Sequence, residues 1–470
     1  MTKLSSLALA FAFVGATYVA PAHAGELAIV VNNKDSGKGS LRHALEVKKA
    51  NHVFIAPFVK TIRINSTLEY SSKKALTLVG TGQTIKTNKN VTLLAVTNGA
   101  NLTASDLSFV GRAGFYSIEN RGDVGETAGK GIFVDVRDDQ RGVVRVNLKK
   151  VTVRGVANHG IHISDCSLAD DCGGGSGGAG DGSPASIALS LYDVTVNDAG
   201  NGKFDADGVR VDDRGAGSII FNAFNSTFKN VGADGVELDE GDEGDVVAKI
   251  SGSRFIRNGG YCNPDLLAAF MPSPDEAEFD ESEAVTEDDI PGDVTGSLDD
   301  SCFEREVDFY DSGFVEAYEF GLDLDDGIDI DEAGEGSLIA TMTDSKIGYN
   351  LDEGVDFDEE DAGGVRVKFD RTAAFANNDD GFKISEEDEG DVIGRVVNSR
   401  AMDNGGKGIV FEEENEGDLK VRVVGSKTAN NDDSDDTGIE VAQEEPGMGT
   451  LKVRNSDIAD GIDTDGVDEI

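Results

Sequence analysis

Tryptophan is absent from all 470 residues, cysteine occurs four times and proline eight, and the 42 Lys plus Arg are outnumbered by 89 Asp plus Glu. Each shortage excludes something. Without an indole there is no Trp platform on which a sugar or a base could stack. No Cys-x-x-Cys spacing occurs, which argues against a structural zinc. A net charge of −47 repels phosphate over most of the chain, so no nucleic acid partner is expected. After residue 24 nothing approaches the roughly 20 apolar residues of a membrane span.

What is present begins with MTKLSSLALAFAFVGATYVAPAHA: a basic start, an apolar stretch and an Ala-His-Ala ending. Those are the three parts of a secretory signal peptide, so residues 1–24 are expected to be removed and the product to be secreted or periplasmic. No Cys follows the apolar stretch, and no lipid anchor is expected. In an oxidising compartment an even cysteine count reads as disulfides, and spacing pairs Cys166 with Cys172 and Cys262 with Cys302. Charge is divided along the chain. Residues 25–160 carry 20 Lys plus Arg against 11 Asp plus Glu, whereas residues 161–470 carry 21 against 78. Cations, basic envelope components and metal-bridged polyanions are the partners such a surface admits.

Self-similarity organises the rest. A glycine followed by apolar, any, apolar recurs at Gly208, Gly235, Gly327, Gly354, Gly381 and Gly408, with intervals of 27 from 208 to 235 and throughout 327 to 408; Gly438 and Gly466 continue the series. Within a unit the pattern has period two. Val365, Val367 and Phe369 alternate with Arg366, Lys368 and Asp370, as a strand with one buried face requires. Each unit holds three short strands: the glycine-led one, a second after an acidic turn, and a third around Ser226-Thr227-Phe228, Ser345-Lys346-Ile347 or Ser399-Arg400-Ala401. Three strands per unit of this length, with no helix between, predict a parallel β-helix; propeller blades are longer and four-stranded. Five residues beyond each Ser or Thr stands Asn258, Asn350, Asn377, Asn404 or Asn431, a stackable ladder. Two insertions interrupt the single domain of residues 25–470: a Gly-rich loop at 164–185 and an acidic excursion at 262–302 with cysteines at its base.

The chain resembles the right-handed parallel β-helix, pectate-lyase-like superfamily over roughly residues 26–470. Gly39-Ser40-Leu41-Arg42-His43-Ala44-Leu45 is similar to a segment that opens many exported β-helix proteins, where it forms a short helix capping the first coil. Ser40 is its expected N-cap. The resemblance implies an all-β solenoid and a calcium-assisted polysaccharide lyase, although the Arg-x-Pro-x-x-Arg segment of pectate lyases is absent.

Chemistry is expected on the stripe formed by the middle residue of each glycine-led strand: His162, Arg210, Glu237, Asp329, Asp356, Lys383, Val410 and Glu440. Coils about 4.8 Å apart set carboxylates near the spacing of ligands around a shared cation. Asp329, Asp331, Asp356 and Asp358 form the densest patch and are the expected Ca²⁺ ligands. Lys383 or Arg210 would be the base that takes the proton alpha to a uronate carboxylate. Acids also recur at one turn, in 239–243, 358–361, 386–389 and 412–416, forming a column beside which calcium, a partner or salt water gathers. Two functions follow: a cation-binding protein that engages acidic polysaccharide, with or without lyase activity, or a non-catalytic structural or adhesion protein of envelope or matrix, self-associating through an open C-terminal coil.

Overall fold

In a computed structural model, residues 26–112, 128–166, 182–267, 277–291, 302–310, 312–431, 437–444 and 446–470 are described. The expected signal peptide, Cys172 and much of both insertions lie outside them. The chain is a right-handed parallel β-helix. Each coil contributes one strand to each of three faces. The glycine-led strands stack, among the described residues, into one twelve-stranded parallel sheet. Register follows the repeat: Asp329 lies beside Asp356 and Asp356 beside Lys383. The second strands (Leu338–Thr343, Arg366–Asp370, Val392–Val397) and third strands (Lys346–Gly348, Ala373–Phe375, Arg400–Met402) stack in the same way. Alternation buries Val367 and Phe369 in a continuous apolar core.

The column of leading glycines is required by close approach. A Cβ on Gly327 would stand 2.4 Å from the carbonyl oxygen of Gly354, and one on Gly354 2.5 Å from that of Gly381. At the C-terminal end the register corrects the repeat: Ile439 pairs with Ile462, so Gly461 and not Gly466 underlies Gly438. At the N-terminal end the capping helix is present, with His43 N donating to Ser40 Oγ at 3.2 Å. It then widens, Lys48 N donating five residues back to His43 O at 2.9 Å.

The asparagine ladder forms as the spacing predicts. Asn350 Nδ2 donates to Asn377 Oδ1 at 2.9 Å, Asn377 to Asn404 at 3.0 Å and Asn404 to Asn431 at 2.8 Å. Across the acidic excursion, Asn258 bonds to Asn350, 92 residues on instead of 27, so the excursion adds 65 residues to one coil. Cys262 and Cys302 are bonded at its base. The excursion does not close at Cys302 as expected. Phe303–Phe309 and Val315–Leu322 continue it as an antiparallel hairpin, in which a register shift at Glu316 lets Val315 and Tyr318, three residues apart, share a separate small core.

The acidic turn departs most from expectation. The column is not wholly solvated: one acid in each coil points inward. Asp213, Glu240, Glu332, Glu359, Glu386 and Glu413, each five residues after its leading glycine, are at most 1% exposed. Each is followed four residues later by a glycine against which its carboxyl packs; a Cβ on Gly363 would stand 2.1 Å from Glu359 Oε1. The carboxyls of Glu240, Glu332, Glu359 and Glu386 stack beside one another in successive coils, and among the described residues no donor meets those of Glu332, Glu359 or Glu386. Two carboxylates share a hydrogen bond only when a proton lies between them. Burial raises all five: Glu240 and Glu359 to about 10, with the neighbouring Glu332 adding to it, and Glu332, Glu386 and Glu413 to about 7. In the next coil the position is taken by Gln443, which accepts from Leu419 N at 2.8 Å and donates to Gly417 O at 3.2 Å. An amide there does what a protonated carboxyl does.

Candidate functional site

Three rows of side chains run along the outer surface of the glycine-led sheet. The residue before each leading glycine supplies Lys130, His159, Asp207, Asp234, Asp326, Glu353, Asp380 and Lys407. The expected stripe supplies His162, Arg210, Glu237, Asp329, Asp356 and Lys383 in successive register. Two residues further on come Ser164, Asp212, Asp239, Asp331, Asp358 and Ser385. The middle of this face is a field of carboxyls, and both of its ends are basic.

At one end the cations are locked in place. Arg210 Nε bonds Asp212 Oδ1 at 2.7 Å, Nη1 bonds Glu237 Oε2 at 2.5 Å and Nη2 bonds Asp239 Oδ2 at 3.0 Å. Fully buried Arg214 also holds Asp239. His162 Nε2 lies 2.7 Å from Asp212 Oδ2, and its Nδ1 lies 2.5 Å from Lys130 Nζ. His159 Nδ1 accepts from Asp207 N at 3.0 Å, and its ring meets that of His162 at 4.5 Å. Burial and then Lys130 depress His162 to about 4, and burial and His162 hold His159 well below its ordinary value, so both rings are neutral. Although burial works the other way, Arg210 and His162 hold Asp212 below the carboxylate range. At the other end Lys383 Nζ bonds Asp356 Oδ2 at 2.9 Å, and Asp356, Asp358 and Glu353 keep it charged against the effect of burial.

Between these ends no ion pair reaches Asp329 or Asp331 among the described residues, whereas Glu237 beside them is held by Arg210. Carboxyl oxygens of Glu237, Asp329 and Asp331 approach within 4.8 Å of one another, as do those of Asp205, Asp207 and Glu237, and of Asp326, Asp352 and Glu353. Burial raises Asp329, Asp331 and Glu237 well above the usual range, and the carboxyls beside them add to it. Asp207 is pushed up to about 7 and Glu353 to about 8, again by burial first.

The expected quartet therefore divides. Asp329 and Asp331 join Glu237 of the preceding coil, whereas Asp356 faces Lys383 and Asp358 accepts from Ser385 Oγ. Glu237 was visible on the stripe but not as a ligand. Lys130, His159, Asp207, Asp212 and Asp239 were missed. Their signal is positional, one residue before each leading glycine or four after it, and emerges only when all coils are aligned.

No family model matches the chain, and no curated protein matches it. Among solved structures it is similar to the enzymatically active domain of tailspike protein 2 of bacteriophage CBA120 (13% identity, TM-score 0.34, 82% of this chain and 43% of that one). It is also similar to a point mutant of the periplasmic alginate epimerase AlgG (11%, 0.35, 90% and 78%) and to the A-module of a mannuronan C-5 epimerase from Azotobacter vinelandii (10%, 0.37, 91% and 92%). The chain thus spans less than half the length of the tailspike domain. At these identities and scores the likenesses say nothing of what this chain binds. No helix among the described residues is long and apolar enough to cross a membrane.

Proposed function

We propose that this is an exported β-helix that binds divalent cations on the carboxyl face and through them engages acidic polysaccharide. The observation that carries the proposal is the Glu237, Asp329 and Asp331 group, whose ligand atoms lie within 4.8 Å of one another. Its donors are oxygens only, with no thiolate and no imidazole, which suits a hard cation such as Ca²⁺ that takes 6–8 oxygen ligands. Three carboxyls leave coordination positions for water and for a uronate carboxylate. A polyuronate is repelled by the bare acids, so its binding depends on the cation. The Cys262–Cys302 disulfide accords with an oxidising compartment.

The face suits holding a polyuronate better than cleaving it. A lyase base must be unprotonated before it acts. Lys383 and Arg210, expected in that role, are held charged by surrounding carboxylates and serve instead to bind acids. Both ring nitrogens of His162 are already engaged. Cosedimentation with polygalacturonate and alginate tests the proposal. Binding is expected with Ca²⁺ and not with EDTA, without the ultraviolet signal of unsaturated uronate ends. Equal binding in EDTA, or none across the panel, would overturn it, and unsaturated products would restore the lyase.

A further inference from the structure

A second surface lies at the corner where the third strand of each coil turns back toward the next glycine-led strand. Asn230, Arg257, Tyr349, Ala376, Asp403 and Asn430 occupy this corner in successive coils, all left-handed, with φ of 52, 60, 60, 53, 59 and 58°. Asn and Asp accept that conformation readily, whereas for a bulky aromatic it is an outlier. The corner imposes that conformation in every one of these coils, and at Tyr349 it presents an aromatic ring at the surface. Tyr349 is 48% exposed, its ring edge-on to Phe375 at 5.3 Å and backed by the Arg257 guanidinium at 5.1 Å.

The next coil has only Ala376 at this position, so no long side chain fills the space after the ring. A cleft of about 480 Å³ opens there, with exposed Asn378, Asp403 and Asn430 among its lining groups. Asn430 Nδ2 donates to Asp403 Oδ1 at 2.8 Å, which fixes the carboxylate. The floor is the asparagine ladder, whose amides are committed to one another.

We propose that this cleft binds one pyranose residue of a neutral glycan. An aromatic ring offers an apolar surface for the C–H face of the sugar, while a carboxylate and an amide offer the acceptors and donors that neighbouring hydroxyls require. Asp403 disfavours a uronate here, and the cleft holds no carboxyl cluster, so binding needs no divalent cation. That requirement separates it from the carboxyl face.

The absence of Trp leaves tyrosine emission unmasked, so neutral gluco-, manno- and galacto-oligosaccharides can be titrated by fluorescence in EDTA, with calorimetry as a second readout. Saturable binding is expected. Tyr349→Asn, which relieves the backbone, should fold at least as well and weaken binding about tenfold through the lost ring contact. Ala376→Leu, at a surface position, should abolish binding by filling the cleft, with the melting curve as a check on folding. No binding across the panel would overturn the proposal, as would binding that both variants retain or that appears only with Ca²⁺. Cation-dependent polyuronate binding can fail or succeed independently of each result.

Discussion

Asp331 carries a sharper test of the carboxyl face than any basic residue, because its carboxyl meets those of Glu237 and Asp329 and joins no ion pair among the described residues. It belongs to the Glu237 and Asp329 group and is raised well above the ordinary range by burial and by Asp239 and Asp358. Replacing it by Asn removes one anionic ligand and leaves a neutral polar group of the same shape. Calorimetry of Asp331→Asn should show Ca²⁺ affinity about tenfold or more weaker, equivalent to about 1.4 kcal/mol. In EDTA its melting temperature should equal or exceed that of the wild type, since an amide stays neutral where burial disfavours a carboxylate. A variant less stable in EDTA would show that Asp331 is structural. At Asn377 the expectation is opposite. It donates to Asn404 and accepts from Asn350 in a buried ladder, so Asn377→Ala orphans groups on both sides and should cost about 1–3 kcal/mol in urea denaturation for each.

At the level of elements, the buried glutamate column makes stability depend on alkaline pH. Its carboxyls are raised from an unfolded value near 4.5 to about 7 for Glu332 and Glu386 and about 10 for Glu359. Between these limits the native state binds more protons than the unfolded state, so unfolding free energy falls as pH rises. The contribution is complete below about pH 4.5 and is lost as pH climbs through the folded values. Glu359→Gln, which supplies the amide already used at Gln443, should raise the melting temperature at about pH 9, leave it nearly unchanged at about pH 5, and flatten the profile between. A profile that falls equally in wild type and variant would remove protons from the column. Much of this architecture was legible in sequence, because glycine, asparagine and alternating valines each announce one orientation. The column was not, because a glutamate in an acidic turn looks the same whether it faces water or core. Only the glycine four residues behind each inward acid marks it.

On the scale of the whole molecule, the two ends of the carboxyl field explain why the sequence located the face without its wiring. Lys130, His162 and Asp212 meet across coils separated by 32 and 50 residues. The first joins different positions of adjacent coils and the second spans the Gly-rich insertion at 164–185, so no local motif brings the three together. The acids clustered between those ends are the central feature, and cation binding there must expel protons from carboxyls that burial has raised. The most direct test is calorimetric titration of EDTA-stripped protein with CaCl₂ at about pH 6 and about pH 8, in buffers of different ionisation heat. Saturable binding should be tighter at the higher pH, release protons, and weaken in Asp331→Asn. Absence of saturable heat at both pH values, or binding indifferent to that substitution, would contradict the assignment.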